Sequence, residues 1–456
     1  MKLSRILEGT NMVMVGKDLK LPVKISPDSR SVVKGGGFVA LRGARTDGHR
    51  FIPDVLSKGV SFVLCEKGSF KEEWKDEYPK CTFVLSDEKC EYALARLASF
   101  YVEHLKHIKE VVAITGSVGK TSTKNYAQAL LEGHFKVHVA AGNYNTLIGS
   151  SITALGAPKD TEILILEMGA NHRGEIAEMV GYLPPTVVCV TEVAPAHLLN
   201  FGTLEGVLDA KSEIFASKRL KSAVINGDNS LLSRRADELK LPEVIRFGHR
   251  GNVTFEGERV SWDGKKFIVE AIMTGLDGVS FKTTLQLSGV HQLYPVAAAC
   301  AIAGKLGLSS HDIADSLPKC HNSAGRGEIK FSSTGAAIID ESYNASPASM
   351  LALLSSMSTP DILGKRVLVL GAMGELGEAT EFQHELVFRR ALQVSDKLYL
   401  YGKAWQSIEG TEKYWWPTLD DIITKIDDEE LGDGDVVLVK GSRSNFLEQV
   451  VRALEV

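Results

Sequence analysis

Cysteine pairs at metal-binding spacing are missing from this sequence. Its six cysteines (65, 81, 90, 189, 300 and 320) are scattered with no Cys-x-x-Cys among them, so no zinc site is expected and the thiols read as free. Long apolar runs are missing too. None approaches the roughly 18 residues that cross a bilayer, and no membrane insertion is expected. Lys2 and Arg5 are followed by no apolar segment of the kind a secretory signal needs, so the expected location is the cytoplasm. Basic charge is not in excess either: 52 Lys and Arg face 57 Asp and Glu, a formal net charge of −5. Such a surface offers a nucleic-acid backbone no positive field, and no nucleic-acid partner is expected. What is present is a globular composition, 44% hydrophobic and 24% charged. At 456 residues the chain exceeds one core, and about three domains are expected.

The stretch richest in chemistry is Val111-Val-Ala-Ile-Thr-Gly-Ser-Val-Gly-Lys-Thr-Ser-Thr-Lys124. Val111 to Ile114 read as a buried strand, a glycine-bearing turn follows, and helical composition runs on to Leu131. A strand, a tight turn and a helix N-terminus make a phosphate cradle. Backbone N–H groups converge there, the helix dipole favours an anion, Lys120 adds a point charge, and the Thr121 hydroxyl can hold Mg2+. The general phosphate-loop pattern has a further glycine where Ile114 stands, so this is a narrower variant. ATP or GTP is the expected ligand, held by Gly116, Ser117, Val118, Gly119, Lys120, Thr121 and Ser122.

Around this loop the pattern alternates strand and helix, which predicts a mostly parallel sheet covered on both faces. A helix is expected over Glu91–His104, and strands over 161–169, 185–191 and from Val224. Ala141-Gly-Asn-Tyr-Asn-Thr146 carries two amides, Asn143 and Asn145, able to reach a terminal phosphate. Glu167 ends its strand where a phosphate-loop fold often places a metal-binding acid, although a strand-end carboxylate can also be plain surface. His197 lies in a loop beyond a strand's C-terminal end, where open α/β sheets bind ligands and where many histidines are merely structural. Lys211 on its own reads as an ordinary helix lysine. Residues 254–287, with Asp-Gly turns, suggest an antiparallel insertion, and an alanine-rich helix is expected over 291–306.

The first eighty-odd residues form a smaller α/β pattern, with strands at 38–41 and 60–64 around a helix at 51–58. Asp28, Ser29, Arg30 and Ser31 gather hydrogen-bonding groups that suit a diphosphate or an ordinary turn, and Asp47-Gly48-His49 is equally open. The last third repeats the α/β alternation, with strands at 336–340, 366–371 and 435–439. Gly371-Ala-Met-Gly374-Glu-Leu-Gly377 loosely mimics a dinucleotide fingerprint but has the wrong spacing and no acidic-ended strand after it. The glycine-flanked Arg326, the Tyr343-Asn344 loop and the Lys440-Gly-Ser442-Arg443 loop lie at a hinge or at strand ends and are expected to face one cleft.

Taken together these motifs resemble the Mur ligases, ATP-dependent amide-forming enzymes of peptidoglycan precursor synthesis, over nearly the whole length. The likeness rests on the residues above, with Glu167-Met-Gly-Ala-Asn171, Gly174-Glu-Ile176 and Asp340-Glu-Ser-Tyr-Asn-Ala-Ser-Pro347. The first and last of these strings are those of the branch that adds D-alanyl-D-alanine to UDP-N-acetylmuramoyl-tripeptide. The Asp-Asn-Pro-Arg signature of the lysine- or diaminopimelate-adding branch is absent.

The resemblance implies an α/β chain of three domains: a UDP-sugar module at 1–86, a phosphate-loop ATPase with a parallel sheet at 87–320, and a Rossmann-like ligase domain at 321–456. It implies ATP and Mg2+ as cofactors, and a monomer whose partners are the two substrates. Thr121, Glu167, His197 and Lys211 would hold metal, Lys211 as a carbamate. Lys120, Asn143, Lys211, His197 and Asn344 would be catalytic. Asp340 would take the ribose of ATP and Arg326 its phosphates. Ser29, Arg30, Asp47, Gly48 and His49 would hold the UDP end, while Tyr343, Lys440, Ser442 and Arg443 would close on the nucleophile. One departure stands out. The family's Gly-x-His-Asn-x-x-Asn string, whose later Asn reads adenine, is here Gly289-Val-His291-Gln-Leu-Tyr-Pro295, which leaves Gln292 as the candidate reader.

Overall fold

Three sheets carry the chain, each built from short apolar strands whose helices return along their faces. The computed structural model describes every residue except Arg45, Ser323, Pro360 and Val456. The first sheet orders its strands Val13–Val15, Thr82–Ser86, Phe62–Glu66, Gly37–Val39 and Ile25–Ser26, with only the first pair antiparallel. The second has nine strands. From one edge it runs Val137–Val139, Ile163–Glu167, Glu110–Thr115, Val187–Val190, Ser222–Asn226 and Val244–Gly248, all parallel. Val253–Trp262, Phe267–Thr274 and Ser280–Leu285 then extend it as the antiparallel hairpins expected of residues 254–287. The third orders Glu328–Phe331, Ala337–Glu341, Val436–Lys440, Arg366–Gly371, Lys397–Tyr401 and Trp415–Trp416, parallel apart from its first pair.

The parallel part of the central sheet is covered on both faces, which explains why Glu110–Thr115, Ile163–Glu167, Val187–Val190 and Ser222–Asn226 are buried almost throughout, whereas the hairpin strands at the far edge alternate. Every residue of Ile163–Glu167 is buried. Helix Lys120–Leu131 buries Thr123, Tyr126, Ala127 and Leu130, a spacing of three and four that turns one stripe inward. It packs beside helix Leu293–Lys305, whose alanines allow close approach. Pro295 stands in the first turn of that helix, where its missing N–H removes no intrahelical bond, and the helix therefore starts later than the pattern at His291 suggested. A second apolar cluster runs from Leu3 and Ile6 through Leu94, Leu97 and Tyr101 to Leu155 and Leu166, so the N-terminal sheet and the central sheet share a core.

Register sets the site. Ile114 pairs with Glu167 and Thr115 with Val190, which puts the acidic strand end on one side of the phosphate loop and the Thr191–Glu192 turn on the other.

All six cysteines are free and buried. Burial pushes Cys65, Cys81 and Cys320 up to about 12, and raises Cys90, Cys189 and Cys300 as well. Because only the thiolate attacks, a raised value leaves each group inert at mildly alkaline pH. At pH 8 the native protein should therefore show no fast reaction with a thiol-disulfide reagent and should release all six thiols on denaturation; one rapid equivalent in the native state would contradict the packing.

Candidate active site

A cavity of about 600 Å³ opens between the central and C-terminal sheets, at the C-terminal ends of their parallel strands. The phosphate loop forms its floor. Gly116 leaves the strand at φ +143° and Gly119 precedes the helix at φ +84°, conformations that favour glycine. Helix Lys120–Leu131 aims its N-terminus into the cavity. Thr191 braces the turn, its hydroxyl lying 2.5 Å from the Val118 carbonyl and 3.1 Å from that of Thr115. Ser117 Oγ donates to the Ala194 carbonyl at 2.9 Å. The Lys120 ammonium curls back onto the Gly116 carbonyl at 2.7 Å. Burial lowers its affinity for protons, Glu167 draws it back up, and Arg326 opposes it from across the cleft.

Glu167 is 1% exposed and fully engaged. The Thr121 hydroxyl donates to it at 2.9 Å, Asn145 Nδ2 at 3.3 Å, and the buried Lys124 ammonium stands 3.9 Å away. Lys124 also donates to the carbonyls of Ala140 and Gly142, which ties the amide loop to the helix. Lys211, 2% exposed, lies across the cavity, its polar and aromatic company among the described residues being the Ala170 carbonyl at 3.5 Å and the Phe201 ring, 5.5 Å from centroid. Burial, reinforced by the Lys120 charge, lowers it to about 7 against the pull of Glu213 and Glu175. His197 lines the same wall at φ +53°, and burial lowers its proton affinity while Glu375 raises it.

From the C-terminal side come Arg326, Tyr343, Asn344 and Lys440. The Arg326 guanidinium stacks 4.3 Å from the centre of the Tyr343 ring, and Arg443 approaches it at 5.9 Å. Gly325 and Gly327 flank Arg326 at φ +72° and +90°, so the segment that begins next to Ser323 (itself outside the described residues) turns sharply into the cleft. Lys440 Nζ is buried against Glu341 at 3.1 Å and donates to the Asn344 carbonyl at 3.0 Å. Ser442 and Arg443 stand behind this lining. Ser442 Oγ accepts the Gly374 N–H at 2.9 Å, and Arg443 pairs with Glu448 at 3.0 Å.

Asn143 is exposed beside the cavity, and Asn145 is the amide that lines it. Asp340 lies behind the wall, its Oδ1 accepting both the Ser342 N–H at 3.0 Å and the Ser342 hydroxyl at 2.6 Å, while the next residue, Glu341, faces the cavity. Side chains alternate along a strand, so one of two adjacent acids had to face away. Glu192, Glu341 and His291 also line the cavity and were not singled out from sequence; their signal was adjacency to Thr191, Asp340 and Gln292. Gln292 lines it too, but its Oε1 accepts the Ser288 N–H at 2.8 Å.

In the N-terminal module Arg30 clamps Asp28 through two contacts, at 2.9 and 2.8 Å, and holds that carboxyl near 2, with Ser29 beside them. Asp47 caps the Gly48–Phe51 turn by accepting the His49 N–H at 3.0 Å. A Cβ on Gly48 would come within 2.6 Å of the Leu41 carbonyl. Both ring nitrogens of the buried His49 are engaged, Nδ1 with Asp47 at 2.7 Å and Nε2 with the Glu66 N–H at 3.1 Å. None of these residues lines the large cavity. Arg45, two residues before Asp47, lies outside the described residues.

Among the described residues no group of three or more His, Cys, Asp or Glu side chains could hold an ion alone. The oxygens at the loop nonetheless suit Mg2+, which takes one or two protein oxygens and completes its shell with water and phosphate. Thr121 and Glu167 supply such a pair.

Three family models match the chain: Mur ligase family, catalytic domain over residues 24–102, Mur ligase middle domain over 114–303, and Mur ligase, glutamate ligase domain over 325–443. The chain is 31% identical to the UDP-N-acetylmuramoyl-tripeptide–D-alanyl-D-alanine ligase of Rickettsia prowazekii, covering 93% of each chain. It is 30% identical to the Escherichia coli enzyme of that name, covering 99% of this chain and 98% of that one. Its fold is similar to MurF from Acinetobacter baumannii, with a TM-score of 0.85 at 25% identity over 99% of this chain and 98% of that one. For the Thermotoga maritima MurF ligase solved in complex with ADP, the TM-score is 0.80 at 29% identity, with coverage of 95% and 97%.

The loop geometry yields a sharp expectation. A Cβ on Gly116 would sit 2.1 Å from Thr191 Oγ1 and near 3.0 Å from the Glu192 backbone nitrogen, so trimming Thr191 alone does not make room. Gly116→Ala should strain the turn by roughly 1–3 kcal/mol, lowering ADP affinity in calorimetric titration by about ten-fold or more; unchanged affinity would mean that the turn does not hold the phosphates.

Proposed function

This chain belongs to the Mur ligase family, and from that premise we propose that it joins D-alanyl-D-alanine to UDP-N-acetylmuramoyl-tripeptide at the expense of ATP, in peptidoglycan precursor synthesis. The observation that carries the reading is the meeting, in one cavity, of a phosphate loop with a metal-suited carboxylate and a second sheet's Arg326, Tyr343 and Asn344. An ATPase alone needs only the first half.

A carboxylate is a poor electrophile, so the reaction proceeds in two displacements. The terminal carboxylate oxygen of the tripeptide attacks the γ-phosphorus and ADP leaves, giving an acyl phosphate. The amine of D-alanyl-D-alanine then attacks the carbonyl carbon, inorganic phosphate departs with the bonding pair, and the nitrogen loses a proton. Lys120 and the backbone N–H groups of Gly116 to Ser122 cradle the phosphates and offset charge on the moving group. Mg2+, when bound, supplies Lewis-acid neutralisation of that charge, with Thr121, Glu167, His197 and Lys211 as its holders.

Lys211 earns that assignment through its setting. A buried amine with no carboxylate partner among the described residues is costly as an ammonium. As a carbamate it becomes an anionic oxygen ligand instead. Arg326 is assigned to ATP phosphates, and Asp340 to the ribose, which requires its carboxyl to turn from Ser342 toward the cavity. Asn143 and Asn145 stand for the amide pair near the terminal phosphate. Asn344, Tyr343, Lys440, Ser442 and Arg443 form the closing side toward the incoming dipeptide, with Ser29, Arg30, Asp47, Gly48 and His49 at the UDP end. Adenine reading is assigned to the Gln292 side of the cavity. The modules are 1–86, 87–320 and 321–456. No described helix is long and apolar enough to cross a membrane, and we place the reaction in the cytoplasm with the chain acting as a monomer, since one chain supplies the whole cavity.

Phosphate release should require both UDP-N-acetylmuramoyl-tripeptide and D-alanyl-D-alanine and should yield a pentapeptide product by mass spectrometry. Release indifferent to both would instead describe a nucleotide switch. Lys211→Ala should keep its melting temperature but lose about 100-fold or more in turnover, the scale of a lost metal contribution of several kcal/mol. A short carboxylic acid added to that variant should restore part of the rate, whereas full activity without it would exclude the carbamate.

A further inference from the structure

The glycine-spaced segment that failed as a dinucleotide fingerprint, Gly371 to Gly377, has a different role in the fold. It leaves strand Arg366–Gly371 and is braced at successive residues. The Met373 N–H donates to Nε2 of the buried His384 at 3.0 Å, and His384 in turn donates from Nδ1 to the Thr380 carbonyl at 2.7 Å. The Gly374 N–H is held by Ser442, and Leu376 is buried. Between these anchors Glu375 is forced to φ +61°, a conformation that non-glycine residues adopt at a cost.

That cost places its carboxylate on a residue of another unit. The Glu375 carboxylate contacts Nδ1 of His197, and the Glu375 carbonyl accepts the Leu199 N–H at 3.3 Å. His197 is itself at φ +53°, so two residues in left-handed backbone meet across the cleft. A carboxylate at Nδ1 keeps the ring proton there and leaves Nε2 with its lone pair. Among the described residues Nε2 has no hydrogen-bond partner, and the ring lines the cavity that also holds Lys211 and Glu167.

We propose that Glu375 is a positioning residue for the metal site: docking of the C-terminal unit brings its carboxylate to His197 Nδ1, which fixes the tautomer and points Nε2 at Mg2+. The inference rests on the reading of His197 as a metal holder. It couples domain docking to metal binding, because the ligand is oriented only once the unit that closes on the incoming amine has arrived. A carboxylate behind a metal-bound histidine orients the ring and raises its basicity, and losing it costs about 10- to 100-fold in affinity.

The test uses the full chain with Mn2+ and a non-hydrolysable ATP analogue, bound Mn2+ being counted by electron paramagnetic resonance. Glu375→Gln keeps the size of the side chain and removes its charge; Glu378→Gln, exposed in the same segment, is the control. Glu375→Gln should weaken one Mn2+ site by about 10- to 100-fold and raise the Mg2+ needed for half-maximal phosphate release by a similar factor. The KM for the UDP-linked peptide should stay unchanged, and Glu378→Gln should behave as the parent. If His197→Ala weakens Mn2+ binding and Glu375→Gln does not, the positioning role is wrong while the metal reading stands. If neither substitution changes Mn2+ binding, His197 is no metal holder and both fall.

Discussion

Everything in the active cleft depends on one buried carboxylate. Glu167 sits at the end of an apolar strand, only 1% exposed where it lines the cavity, and a carboxyl group so buried needs partners that replace its hydration. Thr121, Asn145 and Lys124 are those partners. Satisfying Glu167 therefore fixes the first turn of the phosphate-loop helix. It also fixes the amide loop, which Lys124 holds through two carbonyls, and the separation between the strands that carry them. The electrostatic need of one side chain organises three chain segments around the place where phosphate charge develops.

The rest of the cleft comes from the opposite sheet, and the two halves differ in how they are held. On the central side, contacts are short, buried and made within one core. On the C-terminal side, Arg326 swings on two glycines with positive φ and rests on Tyr343, and the Glu375 segment touches down on the loop of His197. Beside the cleft, Trp262 and Phe267 of the central sheet's hairpin pack into the apolar core of the C-terminal unit with Ile339, Leu353 and Met357. A phosphate site held within one unit and facing a second unit, joined to it through a glycine-flanked segment, an apolar contact and polar bridges, is the arrangement expected where closure excludes water from an acyl phosphate and opening releases product.

Local pattern made much of this legible. The strand, glycine turn and lysine near residue 120, the acidic strand end at 167 and the antiparallel hairpins after 253 each follow from the identity and spacing of neighbouring residues. Adjacent alternatives were harder. Asn143 and Asn145 share one loop, as Asp340 and Glu341 share one strand end, and in each pair composition is nearly equal while direction differs. Direction depends on the backbone path. Strand Val137–Val139, of three residues, is too short for a period to show, and its pairing, like that of Lys397–Tyr401, is set by neighbours distant in the chain.

By itself the sequence determined the chemistry on offer: a phosphate cradle, a hard-oxygen metal pair, a lone lysine, a tyrosine–asparagine loop and three α/β patterns, because these are properties of residues close together in the chain. Only the tertiary structure decided that Lys211 is buried with no carboxylate in contact among the described residues, that Gln292 spends its oxygen on Ser288, and that Glu375 reaches His197. Those outcomes depend on burial and on contacts between residues as many as 178 positions apart. Burial sets the energy of a charge, and folding alone decides which distant groups are present to answer it.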